Sequence, residues 1–269
     1  MRDYPRFALV SALALIWVAL SFGQESREVR KTVPLNADGR VLIDTYKGSI
    51  TVTTWDKAEV DIYATIEADE EFMSRRSGEE KVRDTEIRID NTAREVSIKS
   101  DYGHLKRHLS FWDMFDGETG TLPYVHYTIK MPKTASLKIK DYKSETNIAD
   151  LKSDLDLNTY KGKVKATGIE GTVDIETYKG EIRVEYASLG KSHRYETYKG
   201  EIVIVVPRNR GFDLDADVGS KGDLRSDFVF QGHTKRRRDK TQEYRTSVNG
   251  GGPILRLETT KGTYRLRES

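Results

Sequence analysis

The stretch Leu155-Asp156-Leu157-Asn158-Thr159-Tyr160-Lys161-Gly162-Lys163-Val164-Lys165-Ala166 returns eighteen residues later as Val173-Asp174-Ile175-Glu176-Thr177-Tyr178-Lys179-Gly180-Glu181-Ile182-Arg183-Val184. Apolar residues occupy odd positions before Tyr-Lys-Gly and even positions after it. Alternation with period two marks strands that bury one face. The change of parity places a corner at Tyr-Lys-Gly, where the chain turns and the inside face switches. Glycine suits such a corner because it lacks a Cβ, so Gly162, Gly180 and Gly200 are expected at positive φ or in a tight bend. The Thr before each Tyr keeps inward parity and should form a column of buried hydroxyls. Tyr and Lys should point outward.

The same corner occurs as Thr45-Tyr46-Lys47-Gly48 and Thr197-Tyr198-Lys199-Gly200. Degenerate copies are Asp141-Tyr142-Lys143-Ser144, Gly219-Ser220-Lys221-Gly222 and Thr259-Thr260-Lys261-Gly262. From Lys143 the lysines step by 18, 18, 20, 22 and 40 residues. A period of this size means one unit stacked on copies of itself. The predicted fold is all-β, a single-stranded β-solenoid (β-helix) with coils of about 18–22 residues and two loop excursions. Leu137, Leu155 and Val173 should stack, as should Ile139, Leu157 and Ile175; His193 and Tyr195 interrupt both columns. Outside, Lys138 should lie over Asp156, and Glu145, Lys163 and Glu181 should stack with alternating sign. The run Ile202-Val203-Ile204-Val205-Val206 is apolar on both faces and needs a cover.

Around this frame the organisation reads as follows. Residues 1–23 form a signal peptide, and 24–269 form one solenoid domain. Within it, 67–123 is irregular, 124–230 holds regular coils, 232–252 is a loop and 253–269 is the closing coil. The charge-dense segment from Glu67 to Arg83 reads as a short helix or an insertion, and Ile87, Ile89, Val96 and Ile98 as a hairpin or irregular coil. The first excursion, 102–123, carries His104, His108, Phe111, Trp112, Met114 and Phe115.

The leader has a charged tip (Arg2, Asp3, Arg6), an uncharged run from Phe7 to Leu20, and Ser21-Phe22-Gly23 before an expected cleavage at Gln24. Fourteen residues fall short of the roughly 20 that span a bilayer. The address is therefore periplasm, cell surface or secreted, with no stable transmembrane segment in the mature chain. The near-balanced charge, formally +2, argues against a dedicated nucleic-acid binder. With no Cys, stability must come from the core.

The opening Val41-Leu42-Ile43-Asp44-Thr45, Gly48-Ser49-Ile50-Thr51-Val52 and Trp55-Asp56, with the close Asn249-Gly250-Gly251-Gly252-Pro253, Leu255-Arg256-Leu257-Glu258-Thr259 and Lys261-Gly262, resembles the bacterial "putative adhesin" family of unknown function. The likeness runs from about Val33 to Arg267. It implies an exported or envelope-associated β-helical domain with no catalytic residues to carry over. The Tyr-Lys corners and the two long excursions depart from the family's usual pattern.

The candidate binding residues are Tyr46, Tyr142, Tyr160, Tyr178 and Tyr198 with Lys161, Lys179 and Lys199, and the basic cluster Arg236, Arg237 and Arg238. The tyrosines either stack and stiffen a corner or offer a flat aromatic, cationic strip to a glycan or anionic polymer. His104 and His108 have zinc-like spacing, but Leu105-Lys106-Arg107 lacks the Glu of a zinc hydrolase. Asp213, Asp215 and Asp217 lack the glycine-rich calcium repeat. No metal or cofactor is expected. Without Cys, a Gly-x-Ser-x-Gly elbow or a phosphate loop, the chain reads as a non-catalytic binding or structural element of the cell envelope. Its expected partner is envelope polysaccharide or another envelope protein. The alternatives are a carbohydrate-active β-helix enzyme and an envelope regulatory domain that binds a protein.

Overall fold

The computed structural model describes residues 26–69, 75–103, 122–238 and 241–269. The expected signal peptide and the apolar and histidine residues between 104 and 121 lie outside them. Among the described residues no helix is long and apolar enough to cross a membrane.

Among the described residues the fold is all-β, with two long mixed sheets, not closed, and one short helix. The chain runs through β1 (Ser26–Pro34), β2 (Arg40–Asp44), β3 (Lys47–Trp55), β4 (Glu59–Glu67), α1 (Arg75–Asp84), β5 (Glu86–Asn91), β6 (Glu95–Asp101) and β7 (Tyr124–Pro132). The repeating coils follow as β8 (Ser136–Asp141) and β9 (Lys143–Ala149), β10 (Leu155–Thr159) and β11 (Lys163–Ile169), β12 (Val173–Thr177) and β13 (Glu181–Tyr186), β14 (His193–Thr197) and β15 (Glu201–Val206). The chain ends with β16 (Phe212–Val218), β17 (Asp223–Ser226), β18 (Gln231–Arg238), β19 (Thr241–Val248), β20 (Ile254–Thr259) and β21 (Thr263–Glu268).

In each coil the strand before the corner joins one sheet and the strand after it joins the other. The expected registers hold. Leu137 pairs with Leu155 and Leu155 with Val173, and Ile139 with Leu157 and Leu157 with Ile175. After the corner, Thr146, Val164, Ile182 and Ile202 follow in parallel. These inward residues are buried and form the core between the sheets. Outside, Lys138 reaches Asp156 at 2.5 Å and Lys163 reaches Glu181 at 3.7 Å, in the predicted stacking. The two-faced apolar run lies inside its sheet, where Val203 pairs with Arg183 and Arg265, and Val205 with Glu185 and Arg267. The aliphatic stems of such residues shield apolar surface while their charges stay wet.

Three features depart from a coil-by-coil reading. First, the closing coil β20–β21 stacks directly on β14–β15, with Tyr195 opposite Leu257 and Thr197 opposite Thr259. The coil β16–β17 lies beyond it. The chain therefore overshoots by one coil and returns into the gap. The return is made at Asn249, Gly250 and Gly251, all in the left-handed region with φ of 49°, 88° and 81°. Second, the segment expected to be a loop, 232–252, is mostly an antiparallel ribbon of β18 and β19, in which β19 pairs with β16. Third, β2–β3 lies between two coils, pairing in parallel with β8–β9 on one side and with β6–β7 on the other, so here too spatial order departs from chain order. Between β4 and β6 come α1 and β5, and β5 pairs antiparallel with β6. Antiparallel β4 and β1 continue the other sheet beyond β7.

Coil β14–β15 also breaks the apolar core with a polar cluster. His193 Nδ1 accepts the Val173 N–H at 3.2 Å and lies 2.9 Å from the Tyr186 hydroxyl. The Tyr186 and Tyr195 hydroxyls are 2.6 Å apart. Burial pushes the His193 imidazole down to about 4, so it is neutral in the core.

Candidate functional site: the tyrosine and lysine edge

Each corner is built from its Thr and Gly. Thr159, Thr177, Thr197 and Thr259 are buried in one column, as expected. The Oγ1 of Thr159, Thr177 and Thr259 accepts the N–H of Gly162, Gly180 and Gly262 at 2.9, 2.8 and 2.7 Å. Such local bonds favour a turn over continued strand. Only Gly200 of the three predicted corners has a positive φ, 152°. Gly162 and Gly180 are needed for space instead. A Cβ on Gly180 would lie 2.5 Å from Thr177 Oγ1 and 2.9 Å from the Gly162 carbonyl. At Thr197 the N–H bond is missing, and its Oγ1 is buried with no hydrogen-bond partner.

Asp141 stands in this column opposite Thr159. Its Oδ2 accepts the Ser144 N–H at 2.7 Å, and burial pushes its carboxyl up from 3.8 to about 6. The folded chain therefore holds this proton more tightly than the unfolded chain. Stability from this group is full at low pH and is lost as pH rises through about 6. Asp141→Asn should stabilise the protein at neutral pH by on the order of 3 kcal/mol and change little near about pH 3. Urea melts at the two pH values check this; an equal effect at both would refute it.

Outside the threonines runs the tyrosine ladder. Successive centroids of Tyr46, Tyr142, Tyr160, Tyr178 and Tyr198 are 4.7, 4.9, 4.7 and 4.8 Å apart, with planes within 11° of parallel. This is the spacing of paired strands. The inner rings therefore lie face against face. That corrects the idea of a flat aromatic strip: Tyr142, Tyr160 and Tyr178 have a ring on each side and no open face for a sugar. The ladder stops at Tyr198 because the next coil has Thr260 in that place. Lys261 caps it, donating to the Tyr198 hydroxyl at 2.7 Å and lowering that phenol's pKa.

The lysines flank the stack. Lys161 Nζ is 5.2 Å from the Tyr160 ring centre, Lys179 is 5.4 Å from Tyr178 and Lys261 is 4.8 Å from Tyr198. Lys143, Lys161, Lys179, Lys199 and Lys261 are all exposed.

The first corner is a correction. Its sequence is identical, yet Tyr46 and Lys47 are buried at 4% and 5% exposure. Tyr102, itself buried, meets the Tyr46 ring edge-on at 6.3 Å. Lys47 Nζ pairs with buried Asp69 at 2.5 Å and sits 4.2 Å from the Tyr124 ring centre. Tyr102 just past β6, Tyr124 on β7 and Asp69 after β4 thus cover this rung. Reading the corner alone could not find Asp69, which lies 22 residues further along the chain.

Arg236, Arg237 and Arg238 are far from the ladder in the fold. They lie on β18, the edge strand of its sheet, paired with Glu243, Gln242 and Thr241. Charged residues on an edge strand discourage pairing with another chain. The acidic run on β16 is neutralised internally: Arg245 reaches Asp215 at 2.6 Å and Asp217 at 3.3 Å.

A protein-family model, Toastrack DUF4097, matches residues 11–263. Among solved structures, a "putative cell adhesion protein" from Clostridium sporogenes is 13% identical, with the match covering 91% of this chain and 100% of that one at a TM-score of 0.50. A "putative adhesin" from Bacteroides fragilis is 11% identical, covering 90% of this chain and 97% of its own, at a TM-score of 0.41. No curated protein matches the sequence. The family match spans the opening and closing motifs and every coil between them, and the chain belongs to the Toastrack DUF4097 family.

Proposed function

We propose that this protein is an exported, non-catalytic, adhesin-like element of the bacterial cell envelope, and that the tyrosine and lysine edge is its binding surface. One observation carries this reading. Among the described residues, none of Lys143, Lys161, Lys179, Lys199 and Lys261 forms an ion pair with a carboxylate; Lys140 and Lys165 on the sheet faces are unpaired too, but at this corner five such lysines follow one another coil by coil, whereas Lys133, Lys138, Lys152 and Lys163 are ion-paired. Charges left uncompensated along a rigid edge are available to an external anion. The names given to the Clostridium sporogenes and Bacteroides fragilis proteins agree with an adhesive role.

The test is a panel of envelope polysaccharides, neutral and charged, scored for retention and for new reducing ends. Retention without new ends is expected. Turnover would identify a carbohydrate-active enzyme, and failure to retain any polymer would refute a polysaccharide-binding role.

A further inference from the structure

We infer that the lysine edge binds a single-chain acidic polysaccharide laid along the solenoid axis. This rests on the binding surface proposed above and names its ligand class. The N–H groups of Lys143, Lys161, Lys179, Lys199 and Lys261 donate to the carbonyls of Tyr46, Tyr142, Tyr160, Tyr178 and Tyr198 at 2.8–2.9 Å. Each lysine is therefore tied to the coil beside it, and the column advances by the 4.7–4.9 Å step of the tyrosine stack. That step is close to the length of one sugar ring. A polymer with one carboxylate per ring has charges at a comparable axial spacing; its helical twist turns every second or third carboxylate straight at the edge, and the long lysine side chains reach the others.

The stack makes the edge rigid, so the cations are spaced before the ligand arrives, which lowers the ordering cost of binding. The tyrosine faces are covered by one another. Recognition must then use charge and the lysine ammonium groups, with the phenol rims beside them, in place of stacking on sugar faces.

The flanks set the width. On one side the outward column runs Asn158, Glu176, Glu196, Glu258. On the other it runs Glu145, Lys163, Glu181, Glu201. Both borders are acidic at the coils of Lys179 and Lys199; beside Lys261 the second border is Thr263. Glu181, Glu196 and Glu201 pair with Lys163, Arg194 and Arg265, which leaves Glu176 and Glu258 to repel a broad anionic surface such as a duplex nucleic acid or a membrane. A single acidic chain along the lysines avoids both, so a narrow polyanion is expected.

The test uses the full chain and α-1,4-linked oligogalacturonates from dimer to dodecamer, measured by calorimetry. Affinity should climb with length and level off near the pentamer, since five exposed lysines are in the column. Replacing Lys161, Lys179 and Lys199 together by Gln should weaken binding about tenfold and make it less sensitive to salt. The control triple, Lys133→Gln, Lys138→Gln and Lys152→Gln, removes the same charge from ion-paired positions outside the two borders and should bind like the parent. Thermal melts of both variants establish that they fold. Equal losses in the two triples would reduce the effect to net charge and overturn the proposal. So would equal competition by duplex DNA or by phosphatidylglycerol vesicles, or affinity independent of length. If the polysaccharide panel shows retention of neutral polymers while oligogalacturonates fail to bind, the adhesin-like function stands and this inference falls.

Discussion

Asp69→Ala should destabilise the protein by ~3–5 kcal/mol, lowering Tm by roughly 6–20 °C. The side chains of Lys47 and Asp69 are 6% and 4% exposed. Removing the carboxylate strands an ammonium between coils, and an unpaired buried charge costs far more than a surface pair contributes. Burial already lowers the Lys47 pKa, against the opposing pull of Asp69. Without that pull the folded state should shed the Lys47 proton more readily than the unfolded chain. It then binds fewer protons, so the deficit should shrink as pH rises toward the ordinary lysine value of 10.5. Lys47→Met combined with Asp69→Leu should recover most of the loss, because an apolar pair of similar volume needs no desolvation of charge. Chemical denaturation of the two single variants and the double closes the cycle. If Asp69→Ala melts like the parent, or if its deficit ignores pH, the pair does not hold the first corner.

Gly180→Val should cost ~3 kcal/mol and lower Tm by roughly 6–12 °C. The reason is crowding: the first added carbon already falls 2.5 Å from Thr177 Oγ1, and the carbonyl of Gly162 blocks retreat at 2.9 Å. Relief would mean breaking the Thr177 bond to the Gly180 N–H and parting two coils. Lys179→Val, one residue earlier and exposed, should stay within about 0.5 kcal/mol. The contrast between adjacent positions is the measurement that matters. Equal melting of the two variants would mean that coil stacking at this corner tolerates a side chain.

These predictions show how unevenly the sequence reveals the fold. Alternation on either side of Tyr-Lys-Gly gave the strand pairing from β8 to β15 residue by residue, since a one-residue slip would turn every buried side chain outward. The same argument located the threonine column and the stacked outward charges. The need for glycine was legible, but its cause at Gly162 and Gly180 was not. Backbone φ can be guessed from a turn; the approach of a carbonyl from the neighbouring coil cannot.

The stacking order was decided in three dimensions. A repeat period measures distance along the chain, and it is blind to whether a returning strand takes the next place or an earlier gap. Pairing rules allow β20 beside β14 or beyond β16 equally well, since Leu255 and Leu257 present the same inward face in both. The left-handed residues Asn249, Gly250 and Gly251, and the ribbon that precedes them, choose the gap. The first Tyr-Lys corner makes the same point. Thr45-Tyr46-Lys47-Gly48 is identical to the exposed corners, and the sequence alone assigned it to the binding edge. Its burial comes from Asp69, after β4, and from Tyr102 and Tyr124, just past the end of β6 and at the start of β7, the strands that pair with β2 and β3. Local sequence determined which way each side chain faces, because that depends on the two-residue period of a strand. The tertiary structure decided what lies on the other side of it, because neighbours across coils are set by loop closure and not by spacing.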